Sequence, residues 1–215
     1  MRRIVSVIMK QTNITAADSG MSAERYRLKI LWKRERVQVK RNMMEKILVI
    51  GSPGAGKSTF ARKLRDETGI SLYYLDLLWH RPDRTNAARE EFDARLAQIL
   101  EKDRWIIDGN YLRTLETRMR ACDTVFLLDY PMEVCLAGAK ERIGKKREDM
   151  PWIEAEFDEE FRQWILDFPK DQLPVIYEMI EQYRNEKKII VFRLREEAED
   201  FLNKADHYLH RQGAE

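Results

Sequence analysis

The stretch that decides the fold runs Ile47-Leu48-Val49-Ile50-Gly51-Ser52-Pro53-Gly54-Ala55-Gly56-Lys57-Ser58-Thr59. Four consecutive apolar residues predict a short buried strand. The nine that follow fit the phosphate-binding loop pattern G-x-x-x-x-G-K-[ST]. That pattern has meaning only between a strand and a helix, and this is where it falls. Its glycines let backbone N–H groups turn inward around phosphate oxygens. The helix that opens at the loop directs its positive end at the same charge. Gly51, Ser52, Pro53, Gly54, Ala55, Gly56, Lys57, Ser58 and Thr59 are therefore expected to hold the phosphates of a nucleoside triphosphate with Mg²⁺. Lys57 is expected to reach the β/γ-phosphates and the Ser58 hydroxyl to ligate the metal. Thr59 supports the loop or the first helical turn. The loop fixes the ligand class and leaves open what is done with it.

The chain has 215 residues, enough for one α/β domain with a sizeable core and short additions. Charged residues make up 35% and hydrophobic residues 44%, which suits a soluble globular protein. No run approaches the roughly 20 apolar residues of a membrane span. Ile4 to Met9, after Met1-Arg2-Arg3, is too short an apolar stretch for a secretory signal. Cys122 and Cys135 fit neither a metal spacing nor a disulfide framework, so both read as small buried hydrophobes. A reducing cytoplasm is the expected compartment.

The net charge of +2 hides an asymmetry. Residues 1–43 hold 11 Lys/Arg against 3 Asp/Glu, while the remainder holds 28 against 34. A domain that neutralised DNA through its folded part would show the opposite distribution. Residues 1–43 are read as a basic, poorly ordered extension, with a nucleic-acid-binding arm as the alternative. The alternation of Val37 and Val39 leaves a helix or hairpin open within residues 22–41. Met43-Met44-Glu45-Lys46 leads into the first strand, so the folded domain is expected over 44–212.

From there strand-like and helix-like runs alternate. Strands are expected at Lys46–Ile50, Ser71–Leu75, Trp105–Asp108, Thr124–Leu128 and Lys188–Phe192. Helices are expected at Lys57–Thr68, stopped by Gly69, at Ala87–Lys102, Leu112–Arg120 and Met132–Ile143, near 154–168 and 172–186, and over about 195–210. Strands separated by helices imply a parallel sheet covered on both faces. Ligands of such sheets bind beyond the carboxyl ends of the strands. Gly51–Thr59, Asp76–Arg84, Asp108–Arg113, Asp129 and Arg193–Arg195 are the site candidates on that ground.

Strand three ends in Asp108 and strand four in Asp129. A carboxylate at the first position is the usual partner of a metal beside such a loop, acting through water, although the two aspartates could exchange roles. Lys140, Arg142, Lys145, Lys146 and Arg147, broken by Gly144, form a basic turn. Arg142 and Arg147 can bind phosphate bidentately and stabilise a moving phosphoryl group from a short lid. The competing reading is a helix C-terminus favoured by its dipole. After strand two, Asp76 could accept a hydrogen bond from a substrate hydroxyl or act as a base. Trp79 could stack on a ring or serve as a core aromatic, and Arg81 or Arg84 could pair with an anion. His80 has no second His or Cys at ligand spacing, so no metal role is expected. Phe157, Phe161, Trp164 and Phe168 form a helical stripe, read as core before base stacking. Asn203-Lys204-Ala205-Asp206 copies a guanine motif inside an amphipathic helix and reads as accidental, which favours ATP.

Asp108-Gly109-Asn110-Tyr111-Leu112-Arg113-Thr114 resembles the D-G-F-P-R-T segment of adenylate kinases. That likeness implies Asp108 near the metal and Arg113 on the acceptor's phosphate. Residues 45–205 as a whole resemble the bacterial DNA topology modulation proteins, P-loop proteins related to adenylate and shikimate kinases. Gly51–Thr59, Asp76 with Trp79, Trp105–Tyr111 and Arg142–Arg147 carry the resemblance. It implies a P-loop NTPase fold: a three-layer α/β/α domain with a five-stranded parallel sheet, nucleoside-kinase-like, with a short lid. It also implies ATP and Mg²⁺ as cofactors. The expected activity is transfer of the γ-phosphate of ATP to a small-molecule or nucleotide acceptor. Lys57, Asp108, Arg113, Arg142 and Arg147 are the expected catalytic residues, and Asp76, Trp79, Arg81 and Arg113 the acceptor residues. One helix between strands two and three is short for a separate nucleotide-monophosphate domain, so a small acceptor stands beside AMP. The alternative is a nucleotide-dependent regulator of DNA topology with little transfer. A monomer or small homo-oligomer is expected, with no membrane contact.

Overall fold

The computed structural model describes residues 44–209, with side chains through residue 203. The expectations for residues 1–43 lie outside the described residues. Five strands, β1 (Lys46–Gly51), β2 (Leu72–Tyr74), β3 (Trp105–Asp108), β4 (Thr124–Leu128) and β5 (Lys188–Phe192), form one sheet. Their spatial order is β2-β3-β1-β4-β5 and every pairing is parallel. Among the described residues eight helices accompany them: α1 (Lys57–Thr68), α2 (Leu75–Trp79), α3 (Arg89–Leu100), α4 (Leu112–Ala121), α5 (Met132–Glu141), α6 (Glu159–Asp171), α7 (Leu173–Tyr183) and α8 (Arg195–Leu209).

A parallel sheet buried on both faces needs strands that are apolar throughout. Successive side chains alternate faces, so each strand feeds two cores. Ile47, Val49, Phe126 and Leu128 pack with Phe60 and Leu64 of α1 and with Ala198 and Leu202 of α8. Leu48, Ile50, Val125 and Leu127 pack on the other side with Phe92 of α3, Met119 of α4 and Ile176 of α7. Cys135 lies in the first core and Cys122 in the second, both as free thiols. No helix among the described residues is long and apolar enough to cross a membrane.

The register places the strand ends beside one another. Asp108 pairs with Tyr74 on one side and Val49 on the other, and Gly51 pairs with Leu128. Beyond β2 the structure departs from expectation. The strand covers only Leu72–Tyr74, and Leu75–Trp79 forms a single helical turn instead of a loop. Asp76 sits in the first turn of that helix, where a carboxylate complements the N-terminal dipole. The helix expected near residue 154 begins at Glu159. Asp158 is its N-cap, accepting from the Phe161 N–H at 2.7 Å. Residues 142–158 are therefore a long irregular connection between α5 and α6. Asn203–Asp206 falls inside α8 and follows no strand.

Candidate functional site

The phosphate loop is fixed by backbone packing. Gly51 takes φ +139°, and a Cβ there would lie 2.2 Å from the Leu128 carbonyl oxygen. The buried amide of Asn110 grips the same residue twice: Oδ1 accepts from Gly51 N–H at 3.0 Å and Nδ2 donates to Gly51 O at 2.7 Å. Gly54 and Gly138 of α5 let two backbones touch. A Cβ on Gly138 would stand 2.2 Å from the Gly54 carbonyl oxygen. Gly56 caps α1 without a side-chain bond, so the first N–H groups of that helix remain available to an anion.

Residues 109–111 are held by an unforeseen group. The guanidinium of Arg118 is fully buried and donates to the carbonyls of Gly109 at 2.8 Å, of Asn110, and of Tyr111 at 3.0 Å. Burial pushes its pKa down to about 9. Tyr111 adopts a left-handed φ of +36°, and its hydroxyl donates to Asp76 Oδ1 at 2.9 Å. Arg118 thus positions the segment that carries both the Gly51 clamp and the Asp76 contact. Nothing in sequence marked it, because an arginine in the last turn of a helix reads as a solvated dipole partner. Asn110 was visible within the Trp105–Tyr111 motif, but its double bond to Gly51 was not.

These elements line a cavity of about 550 Å³. Lys57, Ser58, Asp76, Trp79, Asp108, Arg142 and Arg147 all face it. The Lys57 ammonium donates to the Ser52 carbonyl at 2.9 Å, and burial lowers its pKa against the pull of Asp108 and Asp76. Burial lifts Asp108 to about 6, opposed by Lys57 and Ser58. Its Oδ1 is buried with no hydrogen-bond partner. Mg²⁺ takes hard oxygen ligands and is held by one or two carboxylates together with phosphates and water. The hydroxyl of Ser58 and the unpartnered Asp108 oxygen fit such an ion. Asp129 does not line the cavity; it accepts from Tyr177 at 2.7 Å and pairs with Arg193.

The connection from 142 to 158 folds down over the loop. Arg142 pairs with Glu154 at 3.0 Å and lies 4.5 Å over the Phe161 ring. Arg147 approaches Glu154 at 3.6 Å and Asp149 at 3.8 Å. Buried Asp149, which sequence reasoning missed, accepts from the Ser58 hydroxyl at 3.1 Å and sits 3.7 Å from Arg62. Further along, Trp152 meets His80 edge-on at 5.1 Å. Phe161 and Trp164 of the aromatic stripe also line the cavity, so the stripe is not core alone.

Two expected site residues are placed elsewhere. Arg113 forms a bidentate pair with Asp93, at 2.9 and 2.7 Å, and Arg81 pairs with Glu91. Neither lines the cavity. Both arginines found carboxylates on α3, a partnership between distant segments that spacing cannot reveal.

Strand order, loop and cavity together define the P-loop NTPase fold, a three-layer α/β/α domain with a five-stranded parallel sheet. No protein-family model matches the chain. Adenylate kinases of Thermotoga neapolitana and Thermotoga maritima are each 29% identical to it over 98 residues, 44% of this chain and 44% of theirs. The chain is thus matched over less than half the length of these curated relatives. Among solved structures, shikimate kinase from Acinetobacter baumannii, in complex with shikimate, has a TM-score of 0.51 at 17% identity. That match covers 80% of this chain and 97% of the other. At that identity the structural likeness establishes the fold alone.

Proposed function

We propose that this protein is an ATP-dependent phosphotransferase acting on a small acceptor. The observation that carries the proposal is the meeting, in one cavity, of the phosphate loop, Lys57, the buried unpartnered carboxylate of Asp108, and Asp76. The partial likeness to adenylate kinases supports a place among P-loop kinases. Lys57 and the α1 N-terminus hold the triphosphate. Ser58 and, through water, Asp108 place the Mg²⁺, which supplies charge neutralisation at the phosphates. Arg142 and Arg147, released from Glu154 and Asp149, stabilise the charge on the phosphoryl group. Asp76, oriented by Tyr111, receives the acceptor hydroxyl. Arg113 and Arg81 reach this site only by leaving Asp93 and Glu91. The regulatory alternative places its nucleic-acid contact in residues 1–43, outside the described residues, or in the basic turn Arg142–Arg147.

The test is a transfer screen with γ-labelled ATP over nucleosides, nucleoside monophosphates and small metabolites. Labelled product from one acceptor is expected, with Lys57→Ala lowering kcat/KM by about 10²–10³-fold. ATP binding without labelled product from any acceptor would sink the proposal.

A further inference from the structure

We infer that the acceptor carries no phosphate or carboxylate and is an uncharged, hydroxyl-bearing ring compound of the nucleoside or sugar kind. The inference rests on the phosphotransferase reading above. Among the described residues the Lys and Arg side chains lining the cavity are Lys57, Arg62, Arg142 and Arg147. Lys57 and Arg62 stand on α1 beside the phosphate loop. Arg142 and Arg147 are held by Glu154 and Asp149 above it. We assign all four to the triphosphate, although Lys57 and Arg142 also stand within electrostatic reach of Asp76.

The facing wall grows from the carboxyl ends of β2 and β3. It presents Asp76, Trp79, His80, Tyr111 and Leu112: one carboxylate, two aromatic rings, an imidazole whose Nδ1 lies 3.0 Å from Asn86 Oδ1, and one aliphatic side chain. The two arginines nearest in sequence point away, Arg81 to Glu91 and Arg113 to Asp93 over the Phe92 ring. An anionic acceptor would meet Asp76 and Asp108 with no Lys or Arg on that wall, and a buried charge without a partner is costly. A neutral ring suits the wall. Trp79 and Tyr111 stand edge-on with centroids 6.4 Å apart, offering apolar faces to ring carbons. Tyr111 occupies one oxygen of Asp76 and leaves the second for a hydroxyl.

The transfer then balances. The acceptor hydroxyl oxygen bonds to the γ-phosphorus. The bond from that phosphorus to the β,γ-bridging oxygen breaks, and ADP leaves with the electron pair. The hydroxyl proton passes to Asp76.

Matched acceptor pairs test the inference on the full chain with labelled ATP·Mg²⁺: nucleosides against their 5′-monophosphates, and neutral sugars against their phosphates and sugar acids. The neutral member of one pair is expected to be phosphorylated with kcat/KM at least about 100-fold above its anionic partner. The nucleoside and sugar arms separate the two sources of such a ring. An anionic partner used as well as, or better than, the neutral one overturns the inference and leaves the phosphotransferase reading standing. ATP binding without transfer to any arm overturns both. Leu112→Arg, which adds a cation to this wall, is expected to shift preference toward the anionic partner by about tenfold or more. An unchanged preference counts against the wall as the acceptor surface.

Discussion

Asp108 is buried at a cost that Lys57 and Ser58 offset only in part. Its carboxyl is lifted from 3.8 to about 6 by burial. Between those values the folded chain binds more protons than the unfolded chain, so stability falls as pH rises through the window. The shift corresponds to at most about 3 kcal/mol. In metal-free urea unfolding, the wild type is therefore expected to lose about 1–3 kcal/mol between roughly pH 4 and pH 6 relative to Asp108→Asn. Parallel pH profiles for the two proteins would remove this account. Arg118 shows the opposite bargain, a buried cation spent on three carbonyls. Arg118→Met leaves those carbonyls unsatisfied and is expected to cost about 3 kcal/mol or more in the same unfolding assay. A loss below about 1 kcal/mol would show that water replaces the guanidinium without strain.

Among the elements, α5 and the 142–158 connection pack against the phosphate loop. Gly138→Ala drives a methyl group toward the Gly54 carbonyl, a contact of 2.2 Å that either backbone must yield to. The expected result is a loss of about 1–3 kcal/mol in thermal unfolding together with weaker ATP binding, because the loop itself is displaced. Lost stability with unchanged affinity would place the strain in α5 alone. In the 142–158 connection, Asp149 holds the Ser58 hydroxyl and neutralises Arg62 and Arg147. That carboxylate repels an incoming phosphate. Asp149→Asn is expected to tighten metal-free ATP binding by about 1 kcal/mol, roughly fivefold, in calorimetric titration. Weaker binding would show that Asp149 assists the nucleotide instead of competing with it.

For the whole molecule, the sheet was legible because parallel strands buried on both faces must be continuously apolar. Trp105–Asp108, Thr124–Leu128 and Lys188–Phe192 stand in sequence as they stand in space. The short β2 was blurred because Leu75, apolar and buried, belongs to the next helix. The phosphate loop was legible because its chemistry is local: nine consecutive residues bring backbone, ammonium and hydroxyl to one ligand. The partners of arginines were not. Arg113 with Asp93, Arg118 with three carbonyls and Asp149 with Ser58 join residues 7 to 91 positions apart. Period and spacing carry no record of such pairings.

The proposed function requires acceptor-dependent transfer from ATP. The most direct test measures ADP and phosphorylated acceptor together in one reaction, for the wild type and for Lys57→Ala. The account predicts one phosphorylated acceptor per ADP, formation of both only when acceptor is present, and loss of both in Lys57→Ala. ADP formed at the same rate without any acceptor, with free phosphate as the only other product, would contradict it.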